Sequence, residues 1–416
     1  MAGISITASK SPSKVSPWRL FGLLGNPFPP SGVATDVDYD EHQPDQVREI
    51  ISWLNKSVDP SAQQWSPLAI SGSIGVGKTH VLRKMERACV DYRESENLGS
   101  RLMVSSQTLV GAGMKTLLLS NLLLEALNQP LPSGNVQTNS AEMPLLAMAV
   151  EQMLSDKNAQ IVLEVLPPSS PIHKPLTRIA AARTTNEASR LTALLSSWLA
   201  RRNLTTGQLE SLGLGGKLEG EGQAVRAFAH VCRFAKKAMG FRVWLLFIDQ
   251  MEDLWRRDVT TALRRTRFLT DLRTLIDEAL EGCPVAVTLA WNTEVLIAGS
   301  RIAEDVEERL QRDYLAMFSR MSNVVHISTL PREHLLPFAF AYVEHASAMF
   351  RADKTASKGK EPADAGKFER LLEKEFSNVE SRIEKWGRRP NDGSVVARAW
   401  LDALRDWADN LVAPTA

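Results

Sequence analysis

The feature that most constrains this chain is a glycine-rich segment that joins a short apolar run to an amphipathic helical pattern. The apolar run is PLAIS at 67–71, the segment is GSIGVGKTH at 72–80, and the helical pattern VLRKMERACV follows at 81–90. Glycine backbones can curl closely around an anion, and the N-terminus of the following helix carries partial positive charge. The order strand, glycine loop, helix therefore predicts a phosphate-binding site at the end of a buried strand.

The segment matches the pattern GxxxxGK[ST] in full, and this pattern gives each polar group a task. Backbone N–H groups surround phosphate oxygens, Lys78 reaches the β and γ phosphates, and the Thr79 hydroxyl holds Mg²⁺. We expect Lys78 to lie in a solvated loop. The alternative is an accidental glycine loop. The residues predicted to bind ATP here are Gly72, Ser73, Ile74, Gly75, Val76, Gly77, Lys78, Thr79 and His80.

Other short apolar runs with little polar alternation define the fold class. They are RLMVS at 101–105, FRVWLLFID at 241–249, PVAVTLAW at 284–291 and NVVHIST at 323–329, with helical patterns between them. Runs of this kind belong to a parallel sheet that is buried on both faces. The sequence therefore predicts an α/β fold in which helices flank a parallel sheet.

Spacing and composition divide the 416 residues into segments. Residues 1–17 are rich in Ser, Lys and Pro and are expected to form a disordered tail, because they cannot bury apolar area. Residues 18–331 are expected to form the nucleotide-binding domain, and 332–416 a small helical lid. The second and third apolar runs are separated by far more residues than one crossover needs, so we expect a helical insertion at about 129–238.

Composition excludes some classes of protein. The 49 Lys and Arg residues against 48 Asp and Glu give a net charge of +1, so a nucleic acid would have to meet a local patch. No apolar stretch approaches the ~18 residues that span a bilayer. Cys89, Cys232 and Cys283 form no CxxC pair and have no histidine spacing typical of a zinc site. We expect a cytoplasmic protein without membrane contact, with His230 and Cys232 in its core.

One helical pattern carries an excess of positive charge. Six arginines and two aspartates occupy residues 256–273, a local net charge of +4. The pattern predicts weak contact with DNA phosphates at most, and a solvated or subunit-facing surface is the alternative. The arginines are Arg256, Arg257, Arg264, Arg265, Arg267 and Arg273.

A nucleoside triphosphatase also needs a carboxylate at the end of a second buried strand, where it faces the metal. Asp249 ends the apolar run at 241–249 and fills this position. Asp249 is therefore predicted to bind Mg²⁺ together with Thr79 and to join the nucleotide-binding residues. The alternative is that Asp249 only caps the next helix.

The glycine loop and DQMED at 249–253 resemble the AAA+ superfamily of P-loop NTPases, within it the clade of origin-recognition initiators and STAND ATPases. The resemblance implies an ATPase with Mg²⁺. Gln250 stands where many AAA+ ATPases place the glutamate that activates water, and glutamine cannot accept that proton. DQMED is similar to the DQxE form of STAND ATPases, which implies Glu252 as the catalytic base. Slow hydrolysis is the alternative.

The resemblance also implies three further contacts to phosphate. Asn292 looks like the sensor-1 residue, and Arg320 falls at the arginine-finger position, where it would reach ATP on a neighbouring subunit. A turn-forming asparagine and a surface arginine are the alternatives. The sensor-2 arginine of the lid is left open between Arg388, Arg389 and Arg398.

The resemblance implies a homo-oligomeric, ATP-dependent switch that acts with partner proteins in a DNA transaction or in defence against phage and mobile elements. A STAND-like signalling ATPase that assembles on a trigger and activates an effector is the alternative, and a nucleotide binder without hydrolysis is a third. We expect the insertion at 129–238 to bind the protein partner, because so many residues outside the nucleotide core are rarely needed for folding alone.

Overall fold

A computed structural model describes most of the chain and divides it into two compact units. The helical unit comprises Met1–Pro44, Ile74–Gly77 and Ser328–Ala416, and the sheet unit comprises Asp45–Ser73 and Lys78–Ile327. The predicted disordered tail lies, except for residue 17, outside the described residues. The structure describes residues 17–30, 37, 39, 41–109, 119–127, 144–218, 222–255, 261–292, 320–321, 323–352, 365–385 and 394–412.

The sheet unit contains a five-stranded sheet in which the strands pair in parallel. Its strands are β1 (Leu68–Gly72), β2 (Leu102–Thr108), β3 (Val243–Asp249), β4 (Val285–Asn292) and β5 (Asn323–His326). Their order in the sheet is β2-β3-β4-β1-β5, so β2 and β5 lie at the edges. All residues of β1, β3 and β4 are buried, as expected of central strands covered on both faces. The predicted α/β class is confirmed.

Ten helices accompany the sheet in the part of the chain that the structure describes. They are α1 (Pro44–Val58), α2 (Lys78–Ser95), α3 (Leu119–Leu127), α4 (Leu145–Ser155), α5 (Ile161–Val165), α6 (His173–Ala180), α7 (Thr185–Leu199), α8 (Thr206–Leu212), α9 (Gln223–Met239) and α10 (Ala262–Leu280). Local sequence sets several of their ends. Thr184 caps α7 by accepting from the Glu187 backbone N–H, and α8 begins with a reciprocal capping box between Thr205 and Gln208.

The helices of the predicted insertion share one hydrophobic core with the sheet. Leu145 of α4, Leu176 of α6 and Leu195 of α7 are fully buried in the same cluster as residues of β3. Helix α9 packs directly on β3, where the rings of Phe228 and Trp244 lie 5.0 Å apart. Helix α9, which the sequence analysis placed in the insertion, therefore belongs to the core of the sheet unit, and the chain passes from it directly into β3.

The helical unit has a core of its own. Its helices are α11 (Leu335–Ala352), α12 (Ala365–Ser381) and α13 (Ala397–Val412). Leu23 and Phe28 are fully buried among residues of these helices, and the Arg405 guanidinium donates to the Phe28 carbonyl at 3.0 Å. This N-terminal segment therefore packs with the C-terminal helices, although the sequence analysis assigned it to the nucleotide-binding domain. The boundary between units falls at Ile327, four residues before the expected one.

No helix in the described ranges is long and apolar enough to cross a membrane.

Candidate active site

The carboxyl ends of the central strands bring the sequence motifs to one edge of the sheet. Gly72 ends β1 and is paired in register with Asn292, the last residue of β4. Asp249 ends β3, the other neighbour of β4. Asn292 is 3% exposed and Asp249 6% exposed. Parallel strands present their carboxyl ends at the same edge, which is where open α/β sheets bind ligands.

Asp249 and Thr79 are joined by a hydrogen bond, although they lie 170 residues apart in the chain. The Thr79 hydroxyl, in the first turn of α2, donates to Asp249 Oδ2 at 2.7 Å. The other carboxylate oxygen, Oδ1, accepts from the Gln250 backbone N–H at 2.8 Å. A hydroxyl and a carboxylate oxygen are hard donors of the kind that Mg²⁺ prefers. These two side chains therefore fit the metal role predicted for them.

Lys78 is buried, which differs from the solvated lysine expected from the sequence. The residue is 8% exposed, and its ammonium group donates to the carbonyl oxygens of Gly72 and Ser73, each at 2.9 Å. The glycine loop thus folds its own carbonyls around the positive charge. This arrangement holds the ammonium group beside the start of α2, at the carboxyl end of β1.

The tip of the glycine loop, Ile74–Gly77, belongs to the helical unit. Gly75 and Gly77 have φ angles of +84° and +110°, a region in which a side chain is strained. A Cβ atom added to Gly75 would also lie 2.9 Å from the Arg398 Cβ atom. The Gly75 carbonyl accepts from the Arg398 backbone N–H at 3.1 Å. Close packing and left-handed backbone both require glycine at position 75.

The lid arginine predicted to act as sensor 2 is not decided by these contacts. Arg398 lies at the start of α13 and touches the glycine loop through its backbone. Arg388 and Arg389 lie outside the described residues. The sensor-2 role of Arg398 stays a prediction.

Glu252 lies in a short 3₁₀ turn, Met251–Trp255, directly after Asp249 and Gln250. Gln250 has a φ angle of +60°, which turns the chain sharply, and its carbonyl accepts from the Asp253 backbone N–H at 3.0 Å. The Glu252 Oε2 atom is buried and has no hydrogen-bond partner among the described residues. Burial raises the pKa of the Glu252 carboxyl; a backbone hydrogen bond and Lys78 oppose this effect, and Asp249 and Asp253 add to it. A carboxylate with a raised pKa is a better proton acceptor.

Arg320 is held by its own chain. Its guanidinium Nε donates to Asp277 Oδ1 of α10 at 2.5 Å, and both side chains remain partly exposed. Arg273 lies on the other side of the same carboxylate, with its Nε 3.8 Å from Asp277 Oδ2. Sequence reasoning missed Asp277, because nothing in a gap of 43 residues signals the pair. The arginine-finger role stays a prediction.

Only part of the arginine-rich pattern lies in the described residues, where it belongs to α10. Arg264 and Arg265 are partly buried and Arg267 is exposed, whereas Arg256 and Arg257 lie outside the described residues. His80, in the first turn of α2, is partly buried.

Comparisons with known proteins add little to this geometry. No protein-family model matches the chain, and no curated protein matches it at a significant level. Among solved structures, the chain is similar to the ORC2 protein of Aeropyrum pernix, solved as ADPNP-ADP complexes. The match has 12% identity and a TM-score of 0.35, and it covers 90% of this chain and 69% of that one. A likeness this weak establishes no shared family, so function must be inferred from the site residues.

Proposed function

We propose that this protein binds ATP with Mg²⁺ and hydrolyses it, as an ATPase of the AAA+ type. The observation that carries the proposal is the 2.7 Å hydrogen bond between Thr79 and Asp249. Two motifs separated by 170 residues supply the two oxygen ligands of one metal site, and the phosphate-binding lysine is the residue before Thr79. An accidental glycine loop would not explain why Thr79 and Asp249 are in contact.

Each residue has a defined task in the proposed reaction. Lys78 exchanges its two carbonyl partners for oxygens of the β and γ phosphates. Thr79 and Asp249 hold Mg²⁺, which neutralises phosphate charge when it is bound. Glu252 accepts a proton from the attacking water, because its raised pKa suits it to that transfer. Asn292, beside Gly72 in the sheet, donates to the γ phosphate or orients the water.

The first test is ATP binding by a Lys78→Ala variant. Loss of a charge-assisted hydrogen bond costs about 1.5–3 kcal/mol, so affinity for ATP should fall about 10- to 100-fold. Lys84→Ala removes a lysine from the same helix and outside the glycine loop, and it is the matched control. Titration calorimetry measures both affinities, and circular dichroism checks that both variants fold. Unchanged affinity in a folded Lys78→Ala protein would contradict the proposed site.

The second test separates the metal from the nucleotide. Wild-type protein should bind ATP more tightly with Mg²⁺ than with a chelator, because the metal links the phosphates to Thr79 and Asp249. Asp249→Asn should lose most of that difference and keep the weaker, metal-free binding. An Asp249→Asn protein with the full magnesium effect would remove Asp249 from the metal site.

The finer proposal is a homo-oligomeric switch that acts with a partner protein in a DNA transaction or in defence against mobile elements. It is supported by the resemblance of DQMED and of the position of Arg320 to AAA+ sequences, and by the arginines of α10. ATPase activity per chain should rise with protein concentration if neighbouring subunits complete the site. Stimulation by duplex DNA would favour the DNA transaction. Assembly that needs no DNA would favour the STAND-like signalling ATPase, the alternative that the DQxE resemblance supports.

A further inference from the structure

Three side chains that can ligate metal meet in the core of the sheet unit, outside the candidate active site. His230 comes from α9, Glu278 from α10, and Cys283 lies just before β4. They are 3%, 8% and 0% exposed, respectively. The His230 Nε2 atom lies 3.1 Å from Glu278 Oε2, and the Cys283 Sγ atom lies 3.6 Å from the same oxygen. One ligand atom from each residue lies within 4.8 Å of the others.

Neighbouring groups orient these side chains so that their ligand atoms face one another. The Ser170 hydroxyl lies 2.8 Å from His230 Nδ1, which leaves Nε2 directed at Glu278. The Arg226 guanidinium lies 3.6 Å from Glu278 Oε1, whereas His230 and Cys283 contact the other oxygen, Oε2. Histidines that bind metal almost always use their second nitrogen for such a hydrogen bond, and the carboxylates that bind metal are held in the same way.

We propose that His230, Glu278 and Cys283 bind a zinc ion. Nitrogen, carboxylate and thiolate ligands together suit Zn²⁺, whereas Mg²⁺ and Ca²⁺ select oxygen alone. Zinc bonds of about 2.0 Å to N and O and about 2.3 Å to S place tetrahedral ligands about 3.3–3.6 Å apart. The separations of 3.1 and 3.6 Å are close to these values.

Charge balance also favours zinc at this position. A carboxylate and a thiolate offset the two positive charges of the ion, and the nearby Arg226 is 53% exposed, so water screens its charge. Three protein ligands leave a fourth position for a water molecule. The site would fasten α9 and α10 to the beginning of β4, and through Ser170 it would also fix the loop between α5 and α6. Holding these elements together does not depend on the proposed ATPase activity.

No local sequence pattern points to this site. Glu278 lies 48 residues from His230 and five from Cys283, a spacing that belongs to no zinc motif. The competing explanation is that these residues form only a hydrogen-bonded network in the core and bind no metal.

The test uses the full chain, purified without a histidine tag or chelator. Mass spectrometry should find one zinc ion per chain. After zinc is removed, added Co²⁺ should give the charge-transfer absorption of a cobalt–thiolate bond. Cys283→Ser should lose both signals, and Cys89→Ser, which changes another buried thiol, should keep both. Ser170→Ala removes the hydroxyl that orients His230 and that also accepts from the Ile172 backbone N–H, so it should weaken zinc binding about 10- to 100-fold while the protein still folds.

If the residues form only a metal-free network, the opposite results are expected. If wild-type protein holds no zinc after incubation with the metal and gel filtration, the proposal is overturned. A Co²⁺ spectrum without thiolate absorption, or one that survives in Cys283→Ser, overturns it as well. Because the cobalt spectrum is read on wild-type protein, the test remains decisive even if a ligand variant does not fold.

Discussion

Replacing Glu252 by glutamine should slow ATP hydrolysis and stabilise the protein at the same time. The two side chains have the same shape, so nucleotide binding should be unchanged. Glutamine cannot take the proton of the attacking water, and loss of a general base costs at least ~10² in rate. That factor corresponds to about 2.7 kcal/mol in the activation barrier.

The gain in stability follows from the burial of the Glu252 carboxyl. Burial raises its pKa in the folded state, and its Oε2 atom has no hydrogen-bond partner in the part of the chain that the structure describes. Ionisation in the folded protein therefore costs free energy, and stability is lost as the pH rises through the folded pKa. Below the unfolded pKa the cost is absent. At pH 7–8 we expect Glu252→Gln to raise the free energy of unfolding by about 1 kcal/mol, because the glutamine amide is also polar and the substitution removes only the extra cost that the charge adds.

The assay compares turnover and unfolding of wild type, Glu252→Gln and Asp253→Asn over pH. Asp253→Asn removes a carboxylate from the same turn and should keep turnover within a few-fold. A stability gain of about 1 kcal/mol should raise the melting temperature by about 2–4 °C in a unit of this size. The difference should vanish toward low pH. Normal turnover in Glu252→Gln, or a gain in stability that persists at low pH, would refute the reasoning.

Three further predictions concern the core and the surface of the sheet unit. Phe228→Ala should lower the free energy of unfolding by about 3–5 kcal/mol, because α9 covers the sheet through the ring contact with Trp244. Urea denaturation measures this loss. A loss below about 1 kcal/mol would place α9 outside the core. Deletion of 129–238 should for the same reason yield insoluble protein. Joint charge reversal at Arg264 and Arg267 should make log DNA affinity fall less steeply with the logarithm of salt concentration, by about 1 for each phosphate contact that is lost. An unchanged slope would mean that these arginines do not contact DNA.

The central strands and the motifs at their ends could be predicted because apolar character and a glycine loop are local signals. The edge strands were less predictable. Strand β2 extends to Thr108 through Ser106 and Gln107, whose polarity ended the predicted run at 105. At the edge of a sheet such residues remain at least partly exposed, so the strand needs no apolar side chain there.

What could not be predicted depends on contacts between distant residues. The burial of Lys78 follows from two carbonyls that turn toward it, and the packing of Leu23 and Phe28 with the C-terminal helices joins opposite ends of the chain. Such contacts are decided by the packing of whole elements, which no local pattern encodes. The same limitation concealed the link between Asp277 and Arg320.

The ion pair between Arg320 and Asp277 is compatible with an arginine finger, because the energies of the two interactions differ greatly. Their side chains are 27% and 39% exposed, and a pair of this kind is worth about 0.2–1 kcal/mol. An arginine finger contributes about 10³–10⁵ in rate, or about 4–7 kcal/mol. Contact with the phosphates of a neighbouring subunit would therefore outweigh the pair with Asp277.

We accordingly predict that Arg320→Ala lowers ATPase activity about 10³-fold, whereas Asp277→Ala, which releases Arg320 and Arg273, leaves it within a few-fold. Arg273→Ala removes the second arginine on the same carboxylate and is the matched control. Mixing Arg320→Ala with Lys78→Ala should restore part of the activity, because each variant supplies the group that the other lacks. If Arg320→Ala hydrolyses ATP at the wild-type rate, independent of protein concentration, Arg320 serves only to bind Asp277, and hydrolysis does not depend on assembly through this residue.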